Sequence, residues 1–107
     1  MKIKEVKITE VGPRDGFQSE KNILKTEDKI DVINNLIEAG FPRIEVSSFV
    51  SPKAIPQLAD AEIILNKVKR NPNTTLAALV PNARGALRAV DAKLDEIVVF
   101  LSASESH

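Results

Sequence analysis

Two hydrophobic rhythms take turns along this chain with a period of about 30 residues, and that constrains its fold more than any other feature. Ile3 to Val11 alternates, with Ile3, Val6, Ile8 and Val11 apolar, and Gly12-Pro13 ends the run. Thr26 is a candidate N-cap, with Glu27 and Asp28 in the first turn, where the macrodipole favours anions. Ile30, Ile33, Leu36 and Ile37 follow at helical spacing, with Val32 widening the stripe, until Gly40 and Pro42 stop it. Arg43 to Val50 reads as a strand, Leu58 to Val68 as a helix and Thr74 to Val80 as a strand buried on both faces. Pro81-Asn82 opens a third helix through Leu87, Val90 and Leu94, with Asn82 as its cap. Glu96 to Ser104 reads as a fourth strand.

The order β-α-β-α-β-α-β predicts an α/β fold of four parallel strands with right-handed crossovers, one domain spanning residues 1–107. Two architectures accommodate it: an open doubly wound sheet, or the first half of a (β/α)₈ barrel, which needs about 250 residues. No G-x-G-x-x-G follows the first strand, which counts against a dinucleotide-binding sheet. Polar chemistry follows every strand instead: Arg14-Asp15, then Glu45 with Ser47-Ser48, then Asn82, then Ser102, Ser104 and Glu105. Barrels put their active groups at those carboxyl ends, so the half-barrel is the expected fold. A half-barrel leaves its first and fourth strands as open edges, and self-association is expected of it.

Fifteen basic and fifteen acidic side chains balance, and no basic cluster is interleaved with aromatics, so nucleic acid is not an expected partner. No apolar run approaches the ~20 residues of a membrane span. The chain has no cysteine, which fits a reducing, cytoplasmic setting. Phe17, Phe41, Phe49 and Phe100 read as packing residues rather than stacking platforms.

The stretch VGPRDGFQSEKN sets Arg14 and Asp15 between two backbone punctuators directly after a strand. A carboxylate there suits a hard cation such as Mg²⁺ or Mn²⁺. Arg14 offers a donor fork for a carbonyl or carboxylate oxygen, and Glu45, one strand later, reaches the same mouth. Spacing alone leaves two readings equally open: a loop salt bridge among the three, or a site that polarises a substrate oxygen.

VGPRDGFQSEKN, IEVSSFVSPKAIPQLADA, LVPNARG and FLSASESH together resemble the hydroxymethylglutaryl-CoA lyase family, in order and over essentially the whole chain. The R-D-G-x-Q element is shared with a wider group of metal-dependent barrels that includes isopropylmalate synthase. SSFVSPKAIPQLADA narrows the resemblance to the lyases. The resemblance implies a (β/α)₈ barrel that cleaves 3-hydroxy-3-methylglutaryl-CoA into acetyl-CoA and acetoacetate with help from a divalent metal, Mg²⁺ or Mn²⁺. It implies Asp15 as a metal ligand and Arg14 as the group stabilising the enolate. Glu45 would hold Arg14 and the metal shell, and Gln18 and Ser48 would be further contacts to substrate. It also implies an acyl-CoA partner and a homo-oligomer for a longer protein. The family's histidine and asparagine ligands and its loop cysteine belong to the second half of the barrel. His107, the single histidine, does not stand where the pattern places a ligand. The 107 residues alone are therefore expected to ligate the metal incompletely and to be inactive. The alternatives are a related aldolase or acyltransferase of the isopropylmalate synthase group, or a non-catalytic βα module that pairs with itself.

Overall fold

The computed structural model describes residues 6–100. Four strands, β1 (Thr9–Glu10), β2 (Arg43–Ser48), β3 (Thr75–Leu79) and β4 (Glu96–Val98), form one sheet in the order β1-β2-β3-β4, and every neighbouring pair is parallel. Between them run α1 (Thr26–Glu38), α2 (Ala61–Lys67) and α3 (Ala83–Asp91). Parallel neighbours in sequence order require a crossover each time, and each helix supplies one. None of the described helices is long and apolar enough to cross a membrane.

The core lies between the sheet and the helices. Ile33 and Ile37 of α1 and Ile64 and Leu65 of α2 meet Ile44 and Leu76 of the central strands, all nearly or wholly buried. β2 and β3 carry most of this burial because each is flanked on both sides, which is why their sequence reads as near-continuous apolar and small residues. Gly40 ends α1 at φ +91°, a left-handed conformation that glycine adopts without a Cβ clash, and its N–H takes the Ile37 carbonyl at 3.1 Å. Asn82 caps α3 as its sequence suggests, its side chain accepting from the Gly85 N–H at 2.8 Å.

Several local expectations are corrected. Thr26 is the first residue of α1, not its cap: the extended Lys25 takes the cap position without a side-chain cap bond, and the Thr26 hydroxyl accepts no helix N–H but donates to Asp60 Oδ2 at 2.7 Å. Val32 faces outward. Leu58 belongs to a short 3₁₀ turn, Pro56–Leu58, and α2 starts only at Ala61. α3 does not dock through Leu87 and Val90, which are 69% and 68% exposed. It docks through Gly85 and Ala89, because a Cβ at Gly85 would stand only 2.7 Å from the Phe49 carbonyl oxygen. That approach is too close for large side chains. Among the described residues β1 pairs over only two positions, with β2 alone, and Val6 and Ile8 before it are exposed, while Ile3 lies outside the described residues. β4 ends at Val98, and Ser102, Ser104, Glu105 and His107 lie outside the described residues.

Candidate active site

The Gly-Pro that stops the first strand starts a five-residue π-helical turn, Gly12–Gly16. Pro13 presets the turn and is itself buried. The Asp15 N–H closes the turn on the Val11 carbonyl at 2.8 Å, and the Gly12 N–H is held by Glu10 Oε1 at 2.9 Å. Single π turns next to α-helical residues, as here before Phe17 and Gln18, occur frequently at functional sites. Here the turn sends the Arg14 side chain toward β2, where Arg14 Nε donates to Glu45 Oε1 at 3.2 Å. Arg14 Nη1 also lies 3.5 Å from Asp15 Oδ1.

Glu45 sits on β2 with its side chain only 10% exposed. Its other oxygen, Oε2, lies 4.0 Å from Arg43 Nη1, so two guanidiniums flank one carboxylate. A buried carboxylate needs that company, since an unpaired one would be costly to desolvate. Arg43 reaches further, to Thr9 Oγ1 at 3.3 Å and to Glu96 Oε1 at 2.6 Å. A side chain of β2 thus bonds one of β4 across the intervening β3.

A register shift between Glu45 and Ser47 decides which serine faces this pocket. Glu45 pairs with Ala77 and Ser47 with Ala78, so Val46 is the extra residue of a β-bulge. Strict alternation would put Ser47 on the face of Glu45. The bulge puts Ser48 there instead, opposite Leu79. A cavity of about 530 Å³ is accordingly lined by Arg14, Gln18, Glu45 and Ser48 and by apolar groups that include Leu79 and Phe100. All four strand ends contribute to it. Neither Ser47 Oγ nor Ser48 Oγ, both fully buried, has a hydrogen-bond partner among the described residues.

Arg14, Gln18, Glu45 and Ser48 therefore share one cavity, while Asp15 stands beside it, 65% exposed and touching Arg14. Sequence reasoning missed Arg43 as the second partner of Glu45, and it missed the apolar wall. Leu79 was readable as two residues beyond Ala77 on the same strand face, and Phe100, taken for a packing residue, lines the cavity. Asp15 is a hard oxygen donor, but one carboxylate does not hold a divalent cation. No group of three His, Cys, Asp or Glu side chains converges among the described residues, so these residues do not by themselves fit a metal.

A family model described as HMGL-like matches residues 5–107. The chain belongs to the HMGL-like family. It is 50% identical over 101 residues to the mitochondrial hydroxymethylglutaryl-CoA lyase of Arabidopsis thaliana, covering 94% of this chain and 22% of that protein. It is also 50% identical over 104 residues to hydroxymethylglutaryl-CoA lyase YngG of Bacillus subtilis, covering 97% of this chain and 35% of that one. The crystal structure of the Bacillus subtilis HMG-CoA lyase superposes with a TM-score of 0.94 over 98% of this chain and 35% of its own, at 50% identity. An HMG-CoA lyase from Acinetobacter baumannii in complex with coenzyme A and 3-methylmalate gives 0.92 at 48% identity, over 94% of this chain and 33% of its own. The 107 residues thus span between about a fifth and just over a third of these HMGL-like relatives. The four-stranded unit matches the N-terminal part of a (β/α)₈ barrel such as theirs.

Proposed function

We propose that this chain supplies the N-terminal half of a carbon–carbon lyase barrel that cleaves 3-hydroxy-3-methylglutaryl-CoA to acetyl-CoA and acetoacetate. The observation that carries the reading is Arg14 held on Glu45 at the wall of a cavity fed by all four strand ends. Breaking the carbon–carbon bond leaves negative charge on the thioester oxygen. A guanidinium fixed in advance stabilises that charge without reorganising as it develops. Glu45 fixes Arg14, and Arg43 on its far oxygen keeps Glu45 in place. Ser48 and Gln18 offer polar contacts on the same wall, and the apolar side chains around them exclude water from the reacting carbon.

Asp15 is proposed as one oxygen ligand of a divalent cation, Mg²⁺ or Mn²⁺, with its other ligands supplied from beyond residues 6–100. Such a cation would polarise the substrate's oxygens. The partner is an acyl-CoA, a reading supported by the relative that binds coenzyme A. The protein is proposed to be a homo-oligomer in its longer form. A cytoplasmic setting is supported by the lack of cysteine and by a zebrafish (Danio rerio) relative named as cytoplasmic.

The test is acetoacetate release from 3-hydroxy-3-methylglutaryl-CoA by the longest chain carrying this segment, as wild type and as Arg14→Gln. Losing one preorganised donor should lower kcat by about 10²- to 10³-fold. Unchanged turnover in a folded Arg14→Gln variant would remove Arg14 from the chemistry.

A further inference from the structure

Outside the Arg14–Glu45 pair, the described residues hold one buried ionic cluster that the proposed chemistry does not use. The side chain of Lys29, on the first turn of α1, is 1% exposed. Its ammonium donates to the Gln57 carbonyl oxygen at 2.5 Å and to both Asp60 oxygens at 3.0 and 3.1 Å. Asp60 stands at the N-cap of α2 but makes no side-chain cap bond, because its carboxylate is committed to Lys29 and to the Thr26 hydroxyl. An Asp at that position ordinarily satisfies its own helix end. Gln57, whose carbonyl Lys29 holds, sends its side-chain amide back to the Glu20 carbonyl at 3.2 Å. The cluster thus joins the two segments that follow β1 and β2. One carries Arg14 and Gln18 into the cavity, and the other carries Ile55.

We infer that Lys29 is a positioning residue. By seating the 51–60 segment on α1 and, through Gln57, on the segment after β1, it sets the spacing between the Arg14–Gln18 wall and the Ile55 wall. It does not line the cavity itself and acts through Gln57 and Asp60. The inference rests on the lyase reading only for its consequence in turnover. The placement of the two segments can be measured without it.

Amide hydrogen exchange on the 107-residue chain is the primary test, comparing wild type, Lys29→Met and Lys29→Met/Asp60→Leu. Methionine keeps most of the stem and removes the charge. The double variant also removes the carboxylate that would otherwise be left buried and unpaired. The expected result in both variants is about tenfold faster exchange confined to residues 14–20 and 51–60, with β2, β3 and the middle of α1 unchanged. Uniform acceleration across the chain, or none, would overturn the inference, because a pair that merely stabilises the fold moves every amide together. Should Lys29→Met fail to fold, the double variant decides alone. In the longest chain carrying this segment, cleavage of 3-hydroxy-3-methylglutaryl-CoA by the double variant should show KM raised about tenfold with a smaller change in kcat. No cleavage by wild type would overturn the lyase reading and leave exchange to decide the role of Lys29. Unaltered KM with active wild type would overturn the positioning role.

Discussion

The two adjacent serines of β2 differ by a single bulge, and their hydroxyls should behave differently when removed. Both are buried without a partner among the described residues, so each carries an uncompensated desolvation cost. Ser47 lies outside the cavity wall and Ser48 on it. Ser47→Ala is expected to leave stability unchanged or raise it by about 1 kcal/mol in urea unfolding. A loss of that size instead would show that the hydroxyl has a bonding role. Ser48→Ala should be similarly tolerated by the fold but should weaken acyl-CoA binding, measured by calorimetric titration in the longer protein. At this scale the sequence was legible where chemistry and spacing were local. Arg14 beside Asp15, Glu45 one strand on and Asn82 before a helix could all be placed from neighbouring residues. What was not legible depended on distant partners. Thr26 looked like a cap because its actual partner, Asp60, lies 34 residues away, and the burial of Lys29 rests on the same distant carboxylate. The bulge at Val46 leaves no mark in the composition of β2, so strand alternation alone would choose Ser47; the family resemblance pointed to Ser48, and the register with β3 gives the physical reason.

Among the elements, α3 gives the sharpest lesson. Its apolar Leu87 and Val90 are exposed while Gly85 and Ala89 are buried, because hydrophobicity reports which side chains are apolar and not how closely two backbones approach. Gly85 sets that approach. Adding a methyl group there would place it 2.7 Å from a backbone oxygen that cannot swing away, so Gly85→Ala should cost about 2 kcal/mol in urea unfolding, within the range for overpacking. A neutral result would mean that α3 can slide along Phe49. The same helix is tied to α2 by Arg88, which donates to both Glu62 oxygens at 2.9 and 2.7 Å and lies over the Phe49 ring. The hydrogen bond from Arg88 holds the Glu62 carboxyl below its usual value of 4.5, and burial offsets this only in part. Because the folded-state value is the lower one, the pair stabilises the fold above the unfolded-state value, near 4.5. That contribution fades as pH falls through the folded value. Wild type should therefore exceed Glu62→Gln in melting temperature near neutral pH, and the gap should narrow steadily below about pH 4.5. A gap that does not change with pH would mean that the pair is fully screened by solvent, as exposed pairs often are.

For the whole molecule the question is what a four-stranded parallel sheet does with its two edge strands, neither of which has a second neighbour among the described residues. Parallel sheets are ordinarily covered on both faces and closed or flanked at their ends. Here Val6 and Ile8 are exposed beside β1, and Ile97, Val99 and Phe100 along β4, while Leu87 and Val90 add an apolar stripe on α3. The accessible surface is 7484 Å², against about 5,900 Å² expected for a compact chain of this mass. The radius of gyration, 14.3 Å, likewise exceeds the roughly 13 Å of a compact domain of this length. An excess of about 1,600 Å² per chain is roughly twice the ~800 Å² that each partner buries in a standard interface, so there is surface enough for one. Two copies supply the eight strands with which a barrel closes, β4 of one lying beside β1 of the other. As a 107-residue polypeptide the chain is therefore expected to self-associate, its mean mass in sedimentation equilibrium rising with concentration. Lysines at the apolar edge should suppress this, so Ile97→Lys/Val99→Lys should sediment as a monomer under conditions where wild type does not. A wild-type chain that remains monomeric over a wide concentration range and melts cooperatively would show that these edges are tolerated in water. The apolar stripe on α3 would then be surface without a partner.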